Sequence, residues 1–286
     1  MKKVRIMMWS VLCGLASTVF AAQDGEVELR IVHTNDTHSC VMPVNPNSSD
    51  TALADKGGFV RRAALVRDLR AEDPDLLPFG SGDFSQSSAY YNLYKGDVEV
   101  KLMNEMRYDA ATIGNHEFDF GLDNMARIFR EATFPIVCAN YHFEGTVLEG
   151  LVRPYVILER KGVKVGVFGL GTQLEGMVAS ENYKGVTYED PVTAANRVAD
   201  ELKNKEHCDL VVCLSHLGWD IDGLDDTELV PATRYIDIVL GGHSHTYFEH
   251  PEVLKDADGE DVYCNQMGKH GRYVGMLLLE MSPTGD

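Results

Sequence analysis

A short apolar run ends in a group of polar side chains at residues 110–119, which read AATIGNHEFD. The run Ala110–Ile113 is typical of a buried strand, and Gly114 lets the backbone leave it at an angle that a β-carbon would obstruct. An amide, an imidazole and two carboxylates then follow within the five positions 115–119. Because open α/β sheets place their chemistry at the carboxyl ends of strands, this stretch predicts a functional site.

The same arrangement recurs elsewhere in the chain, where apolar, strand-like runs end in short loops that carry histidine, aspartate or asparagine. The five sets of polar residues are Asp36 with His38, Asp83, Asn115 with His116, His216, and His243 with His245. A single aspartate in such a loop is usually a turn residue, and a single histidine is usually structural. All five loops together favour one shared site at the rim of a sheet.

Helical patterns separate these strand-like runs. Apolar residues recur at helical spacing between residues 57 and 74, and Asp97 is the predicted N-cap of a further helix. Strands that alternate with helices predict an α/β domain. Predicted hairpins near residues 155–168 and 262–279 indicate that the sheet is not purely parallel. One mixed-sheet domain is the simplest interpretation.

The residue types in these loops suit a pair of divalent cations. Two such cations about 3.5–4 Å apart can clamp the attacking and leaving oxygens of a phosphoryl displacement, and one aspartate can bridge them. Imidazoles, carboxylates and an amide oxygen favour Mn, Fe, Co or Zn over Mg or Ca. Asp36 and His38 are two positions apart, as are His243 and His245, so each pair lies on one side of an extended segment.

The net charge of the 286-residue chain is −18. Such a surface repels nucleic acid and anionic membranes, so a nucleic-acid-binding module is the weakest candidate and no nucleic-acid partner is expected. It suits a phosphate-binding enzyme only if bound cations reverse the local field. The charge is therefore a second indication of metal.

The first residues differ from the rest of the chain. Lys2, Lys3 and Arg5 precede an apolar run over residues 6–20, which is followed by small residues at 21–22. This layout predicts a signal peptide over residues 1–22, with a secreted or periplasmic location. The run is shorter than the roughly 20 residues of a membrane span, so no stable membrane anchor is expected. Cleavage removes the three basic residues and takes the net charge to −21.

The motifs resemble those of the calcineurin-like metallophosphoesterases, and in particular the metallophosphatase domain of bacterial periplasmic 5′-nucleotidases and UDP-sugar hydrolases. The stretches that carry the resemblance are HTNDTH at 33–38, GD at 82–83, GNHE at 114–117, His216, and GHSH at 242–245. The resemblance covers essentially the whole mature chain, residues 23–286. It implies a four-layer α-β-β-α sandwich with mixed sheets and a dinuclear metal site.

The resemblance also assigns the ligands of two divalent ions, Mn, Zn, Co or Fe. One ion would be bound by Asp36, His38 and His245, the other by Asn115, His216 and His243, and both by Asp83. At the position of His245 some two-domain relatives carry an amide side chain instead. The nucleophile would be a metal-bound water or hydroxide.

The resemblance gives His116 and Asp119 the catalytic roles. His116 is not a ligand in such a family but faces the phosphate, where an imidazole can stabilise developing charge or protonate the departing oxygen. Asp119 would orient His116, which the i, i+3 spacing allows. Glu117 is expected to support the structure around them.

The leading hypothesis is a secreted or periplasmic metal-dependent phosphoric ester hydrolase of the 5′-nucleotidase type, acting on a nucleotide or a related small phosphate ester. One alternative is a phosphodiesterase or nucleotide pyrophosphatase acting on UDP-sugars or cyclic nucleotides, because the same metal clamp serves both ester types. Two-domain nucleotidases hold the nucleoside in a C-terminal domain, and no part of this sequence matches that domain. A second alternative is therefore the catalytic half of a split nucleotidase that needs a separate nucleoside-binding chain.

Overall fold

The computed structural model describes residues 27–49, 51, 54–86 and 88–281, together with the backbone of Val4–Ser10. Within these residues the strands form two large sheets and one small one. The first large sheet contains, in spatial order, β1 (Val4–Ser10), β15 (Gly275–Met281), β2 (Val27–Thr34), β3 (Leu77–Gly80), β4 (Ala110–Ala111), β5 (Ile136–Val137) and β7 (Val152–Arg153). Strands β2 to β7 of this sheet run parallel, whereas β15 and β1 are antiparallel additions beside β2.

The second large sheet is also mixed. It contains, in spatial order, β13 (Glu252–Lys255), β14 (Asp261–Asn265), β12 (Ile238–Leu240), β11 (Leu210–His216), β9 (Val163–Gly171) and β8 (Tyr155–Arg160). Its four central strands are parallel, and the two edge strands are antiparallel to their neighbours. The small sheet pairs β6 (Tyr141–His142) with β10 (Thr187–Tyr188).

Six α-helices flank the sheets in the described part of the chain. They are α1 (Phe59–Glu72), α2 (Ala89–Tyr94), α3 (Asp97–Glu105), α4 (Gly121–Glu131), α5 (Pro191–Asp200) and α6 (Asp226–Leu229). Short 3₁₀ segments cover His116–Phe118, Ser180–Tyr183 and Val230–Ala232, and a π-helical turn covers Glu201–Lys205. No helix among the described residues combines the length and apolar character that crossing a bilayer requires.

Three apolar clusters show the order of the layers. Between the two sheets, Ile31 and Phe79 of the first sheet share a core with Val165 and Val212 of the second. The other face of the first sheet packs with side chains of α1, α3 and α4. The other face of the second sheet packs against α5. The architecture is therefore the predicted α-β-β-α sandwich with mixed sheets.

The hairpin predicted near residues 155–168 is confirmed. Strands β8 and β9 pair in antiparallel register from Tyr155 opposite Phe168 to Arg160 opposite Val163. The two residues between them, Lys161 and Gly162, have φ angles of 50° and 77°. Two positive φ angles at the centre of a two-residue loop match the right-handed twist of the strands they connect.

The hairpin predicted near residues 262–279 is wrong. Strand β14 lies in the second sheet, parallel to β12, whereas β15 lies in the first sheet between β1 and β2. Both segments have strand-like patterns, but such a pattern identifies a strand without identifying its partner. The segment between them passes from one sheet to the other along the candidate site.

Two helices begin where their N-terminal residues favour a start, one of them one residue from the predicted N-cap. Asp190 is an N-cap whose side chain accepts a hydrogen bond from the Thr193 N–H group at 2.8 Å. The N-cap predicted at Asp97 is instead Gly96, and Asp97 is the first helical residue. A carboxylate in the first turn still interacts favourably with the helix dipole there.

The predicted signal segment, residues 1–22, lies outside the described residues except for the backbone of β1. That backbone pairs with β15, from Val4 opposite Met281 to Ser10 opposite Gly275. Without β1, strand β15 would be the edge of the first sheet.

Replacing Gly169 with alanine tests the close approach of the two sheets. A β-carbon at Gly169 in β9 would overlap the Val137 carbonyl oxygen of β5 and the Thr112 hydroxyl group. We expect the variant to lose about 1–3 kcal/mol or more of unfolding free energy in urea denaturation, as overpacked cores do. Val253→Ala, on the exposed edge strand β13, is the control and should change stability by less than about 0.5 kcal/mol. An unaffected Gly169→Ala variant would contradict this packing.

Candidate metal and catalytic site

Five strands of the two sheets deliver the predicted site residues to one region. Their loops follow β2, β3 and β4 in the first sheet and β11 and β12 in the second. Within each sheet these strands are parallel, so their carboxyl ends share one edge. The backbone of the loops is cross-linked, since the Asp36 N–H group donates to Gly82 O at 3.1 Å and the His38 N–H group to Asp83 O at 3.0 Å.

Two groups of possible ligand atoms result, together with a third that links them. Asp36, His38 and His245 form one group, and Asp83, His216 and His243 form the other. The linking group consists of His38, Asp83 and His116; within each group, the atoms lie within 4.8 Å of one another. In the first group, Asp36 Oδ1 is 3.7 Å from His38 Nε2 and 3.4 Å from His245 Nε2.

The carboxylate of Asp83 lies between the two groups. Asp83 Oδ2 is 3.2 Å from His216 Nε2 in its own group and 3.5 Å from His38 Nε2 in the other. Its other oxygen, Oδ1, accepts a hydrogen bond from the His116 N–H group at 2.9 Å. Asp83 is therefore placed where one carboxylate can serve both groups.

Several buried polar atoms in this region lack hydrogen-bond partners among the described residues. They are His38 Nε2, His216 Nε2 and Asn115 Oδ1. A buried polar atom left unpaired costs about 1–3 kcal/mol. Because nitrogen and amide oxygen are both good ligands for first-row divalent cations, such cations would satisfy all three atoms. The residues present therefore fit a divalent metal site.

The tautomer of His216 supports the same conclusion. Its Nδ1–H group donates to the Ser81 carbonyl oxygen at 2.7 Å, which turns the Nε2 lone pair toward Asp83. Burial acts to lower the pKa of His216, but the adjacent Asp83 carboxylate raises it to about 10. A positive charge between His216 and Asp83 is therefore stabilising, and either a proton or a metal cation can supply it.

The pKa values of Asp83 and His243 are both lowered in this arrangement. Burial acts to raise the pKa of Asp83, but the adjacent His216 imidazole, and then that of His38, hold it well below its usual value. Burial, followed by the charge of His216, lowers the pKa of His243 to about 4. His243 is therefore neutral near pH 7, as an imidazole ligand must be.

The extended segments predicted for residues 36–38 and 243–245 are wrong, because the backbone of the site is left-handed at these positions. Positive φ angles occur at Asp36 (48°), His38 (44°), Asp83 (50°), His243 (73°) and His245 (57°). Left-handed conformations of residues other than glycine persist only where the surrounding structure fixes them, and they cluster at functional sites.

The glycines in these loops allow the close approach. A β-carbon on Gly82, whose φ is +82°, would lie 2.6 Å from His216 Nδ1. A β-carbon on Gly114 would lie 2.6 Å from the Asp83 backbone nitrogen. The sequence pattern predicted that Gly114 lets the chain leave its strand, and the structure adds that it makes room for Asp83.

Glu117 connects the loop after β3 to the loop after β4. Its buried carboxylate accepts hydrogen bonds from the N–H groups of Asp83 at 2.9 Å and Gly114 at 2.7 Å. It also accepts from the Ser85 N–H group at 3.2 Å and the Ser85 hydroxyl at 3.1 Å. Burial and the nearby Asp83 charge raise the pKa of Glu117 to about 7. Its role is to position Asp83.

His116 and Asp119 are in contact, as predicted. His116 Nδ1 is 3.1 Å from Asp119 Oδ2, and the Tyr91 hydroxyl donates to His116 O at 3.1 Å. Burial acts to lower the pKa of His116, but the Asp119 hydrogen bond and the Asp83 charge together raise it. The imidazole also lies edge-on to the His38 ring, with centroids 5.7 Å apart. It is thus fixed beside the metal-binding groups.

Sequence reasoning missed two residues that touch this site. Gln86 Nε2 lies 2.6 Å from His116 Nε2 and 3.2 Å from His116 Nδ1. His270 donates from its backbone N–H group to Asp36 O at 2.7 Å, and its ring lies 5.7 Å from that of His38. No spacing or motif indicated either residue, because each reaches the site through a loop without a repeated pattern.

The fold and the site together define a phosphoesterase. The model of the calcineurin-like phosphoesterase family matches residues 29–247 of the chain. The chain therefore belongs to this family, whose members are metal-dependent phosphoric ester hydrolases, as the motifs predicted.

Among curated proteins the chain is similar to 5′-nucleotidases. The human 5′-nucleotidase is 31% identical over 97% of this chain and 50% of its own length. The snake venom 5′-nucleotidase of Crotalus adamanteus is 32% identical over 92% of this chain and 47% of its own length. This chain thus spans about half the length of the curated relatives it matches.

Among solved structures the chain is also similar to nucleotidases. The 5′-nucleotidase precursor of Thermus thermophilus is 33% identical with a TM-score of 0.79, covering 89% of this chain and 51% of that one. The NAD nucleotidase of Haemophilus influenzae is 27% identical with a TM-score of 0.80, covering 91% and 48%. The match to the sulfate thiohydrolase SoxB, at 16% identity and a TM-score of 0.76, concerns the fold alone.

Replacing Glu117 with glutamine keeps the size of the side chain but places an NH₂ group among N–H and O–H donors. We expect a loss of about 1–3 kcal/mol in unfolding free energy and weaker binding of divalent cations, because the two loops are no longer joined. Urea denaturation and calorimetric titration with Mn²⁺ measure both effects. The control is Glu105→Gln, at an exposed position in α3. Unchanged stability and cation affinity in Glu117→Gln would contradict the positioning role.

Proposed function

We propose that this chain is the catalytic domain of a 5′-nucleotidase-like hydrolase that binds two divalent cations and cleaves a nucleotide or a related phosphate ester. The single observation that carries the proposal is the position of Asp83, whose carboxylate lies between two groups of histidines with His116 beside it. Similarity to the human and Thermus thermophilus 5′-nucleotidases supports the substrate class.

The proposed ligands follow from the two groups of donor atoms. Asp36, His38 and His245 hold one cation, and Asp83 contributes to both. His216, His243 and Asn115 hold the other; the unpartnered Oδ1 of Asn115 supports its inclusion. Because four of these ligands are imidazoles, the set favours Mn, Zn, Co or Fe. When bound, such cations polarise phosphoryl oxygens and lower the pKa of water.

His116 acts on the substrate side of the site. Its Nδ1 is held by Asp119, so Nε2 is the nitrogen that serves the phosphate ester, which would replace the Gln86 amide now beside it. There a protonated imidazole donates to the departing oxygen or stabilises charge on the phosphoryl group. Asp119 keeps the ring in this orientation and, with Asp83, raises its pKa, which increases the protonated fraction at neutral pH.

A second candidate reaction is the cleavage of a pyrophosphate or diester bond. The similarity to the NAD nucleotidase of Haemophilus influenzae favours it, since that protein's name refers to a dinucleotide. The metal-binding groups suit both reactions, because either ester presents a phosphoryl oxygen to the same cations.

We also propose export of the protein after removal of residues 1–22, on the basis of the basic and apolar pattern of this segment.

The proposal is tested by measuring phosphate release and, by chromatography, the nucleotide products formed by the purified mature protein, whose mass also reports cleavage near residue 22. The substrates are a 5′-nucleoside monophosphate, NAD, a UDP-sugar, a cyclic nucleotide and an aryl phosphate, each with Mn²⁺, Co²⁺ or Zn²⁺ and with a chelator. We expect metal-dependent hydrolysis of the nucleoside monophosphate and none after chelation. Hydrolysis of the aryl phosphate alone favours a separate nucleoside-binding chain. Inactivity on every substrate with metal bound contradicts the proposal.

Variants assign the catalytic roles within the same assay. His116→Asn should lower kcat by about 10²–10⁴-fold while the metal content stays unchanged, since His116 is not a ligand. Asp119→Asn should cost about 10–100-fold and move the high-pH limit of activity downward, because it removes a contact that raises the His116 pKa. His250→Ala, an exposed histidine, is the control. A parallel loss of metal in His116→Asn would show that it is a ligand instead.

A further inference from the structure

Arg62 is a buried cation for which the described residues offer no partner. The residue is 3% exposed, and Nε, Nη1 and Nη2 of its guanidinium group are all buried without a hydrogen bond. The groups that interact with its charge, Tyr108 and Cys40, are a phenol and a thiol, not carboxylates. An ionised side chain buried without a counter-charge is costly by several kcal/mol.

The position of Arg62 in its helix makes the need for a counter-charge greater. Arg62 lies in the first part of α1, where the helix dipole is already positive. The first turn of this helix contains no acidic residue, and its N-cap, Gly58, supplies no side-chain oxygen. The Phe59 ring lies against the guanidinium, with its centroid 3.9 Å from Arg62 Cζ, and this contact offsets only part of the cost.

A small cavity lies beside the guanidinium. Its volume is about 10 Å³, which suits one occupant of about the size of a water molecule. The polar residues that line it with Arg62 are Thr34, Asn35, Thr37 and Tyr108, and no carboxylate lines it. The hydroxyls of Thr34 and Tyr108 are 2.8 Å apart, so one donates to the other and a proton of the pair remains free to donate elsewhere.

We propose that this cavity binds a single monovalent halide ion, chloride under ordinary conditions, held by the Arg62 guanidinium and a neighbouring hydroxyl. A water molecule could accept from the same donors, but it would leave the charge of Arg62 uncompensated. A halide is the smallest common anion, so it suits this volume better than a polyatomic anion such as phosphate does. The ion balances the charge of the Arg62 guanidinium, around which the described residues provide only neutral groups.

The cavity lies directly behind the loops that carry the proposed metal ligands. The lining residues Thr34, Asn35, Thr37 and Gly82 belong to the loops that carry Asp36 and Asp83. The loop around Gly271 closes over the guanidinium from the other side, and His270 in that loop donates to Asp36 O. A bound halide therefore stabilises the metal-binding loops from behind, independently of the reaction they catalyse.

Bromide identifies the occupant directly. Crystals of the full chain grown in sodium bromide should show one anomalous difference peak in contact with the Arg62 guanidinium. Density without an anomalous signal would mean water, and no density would mean an empty cavity; either result overturns the proposal. In solution, Tm should rise saturably with chloride or bromide relative to gluconate at equal ionic strength.

Matched variants link both signals to one side chain. Arg62→Met, which keeps the length of the side chain but removes its charge, should lose the bromide peak and the halide-dependent rise in Tm. Arg61→Met, at the adjacent exposed position, should retain both. If Arg62→Met does not fold, the anomalous map of the unaltered protein still decides. A halide-dependent Tm that persists in Arg62→Met would contradict the assignment.

Discussion

The position of one buried carboxylate constrains the rest of this structure. Asp83 lies between His38 and His216 with almost no exposure to water, so its negative charge must be balanced by positive charge in the same small space. In this buried space the lone pairs of the carboxylate and of the imidazoles face each other, and there is no bulk water to screen their repulsion. Metal cations satisfy both conditions at once. The proposed activity follows from how the fold keeps this carboxylate in place.

The surrounding fold holds that carboxylate in a strained backbone conformation. The loop that carries it has a left-handed backbone at Asp83 itself, and Glu117 fixes it through hydrogen bonds to backbone N–H groups on two loops. Gly82 and Gly114 leave no side chain in the way. Strain of this kind persists only with such support from the surrounding structure.

The sequence predicted those features that depend on local pattern. The spacing of Asp36 and His38, the GNHE stretch and the alternation of strands with helices all act over a few residues, and all the proposed site residues come from such stretches. The partner of a strand does not depend on local pattern. For that reason β14 and β15 were predicted as a hairpin, although the structure assigns them to different sheets. Gln86, His270 and the cavity beside Arg62 likewise depend on contacts between distant segments.

The central claim is that two cations share Asp83, and anomalous diffraction from crystals of the Mn²⁺-loaded protein tests it most directly. The account predicts two anomalous peaks about 3.5–4 Å apart, one on each side of the Asp83 carboxylate. One peak should contact His38 and His245, and the other His216 and His243. A single peak, or two peaks of which only one contacts Asp83, would contradict the account.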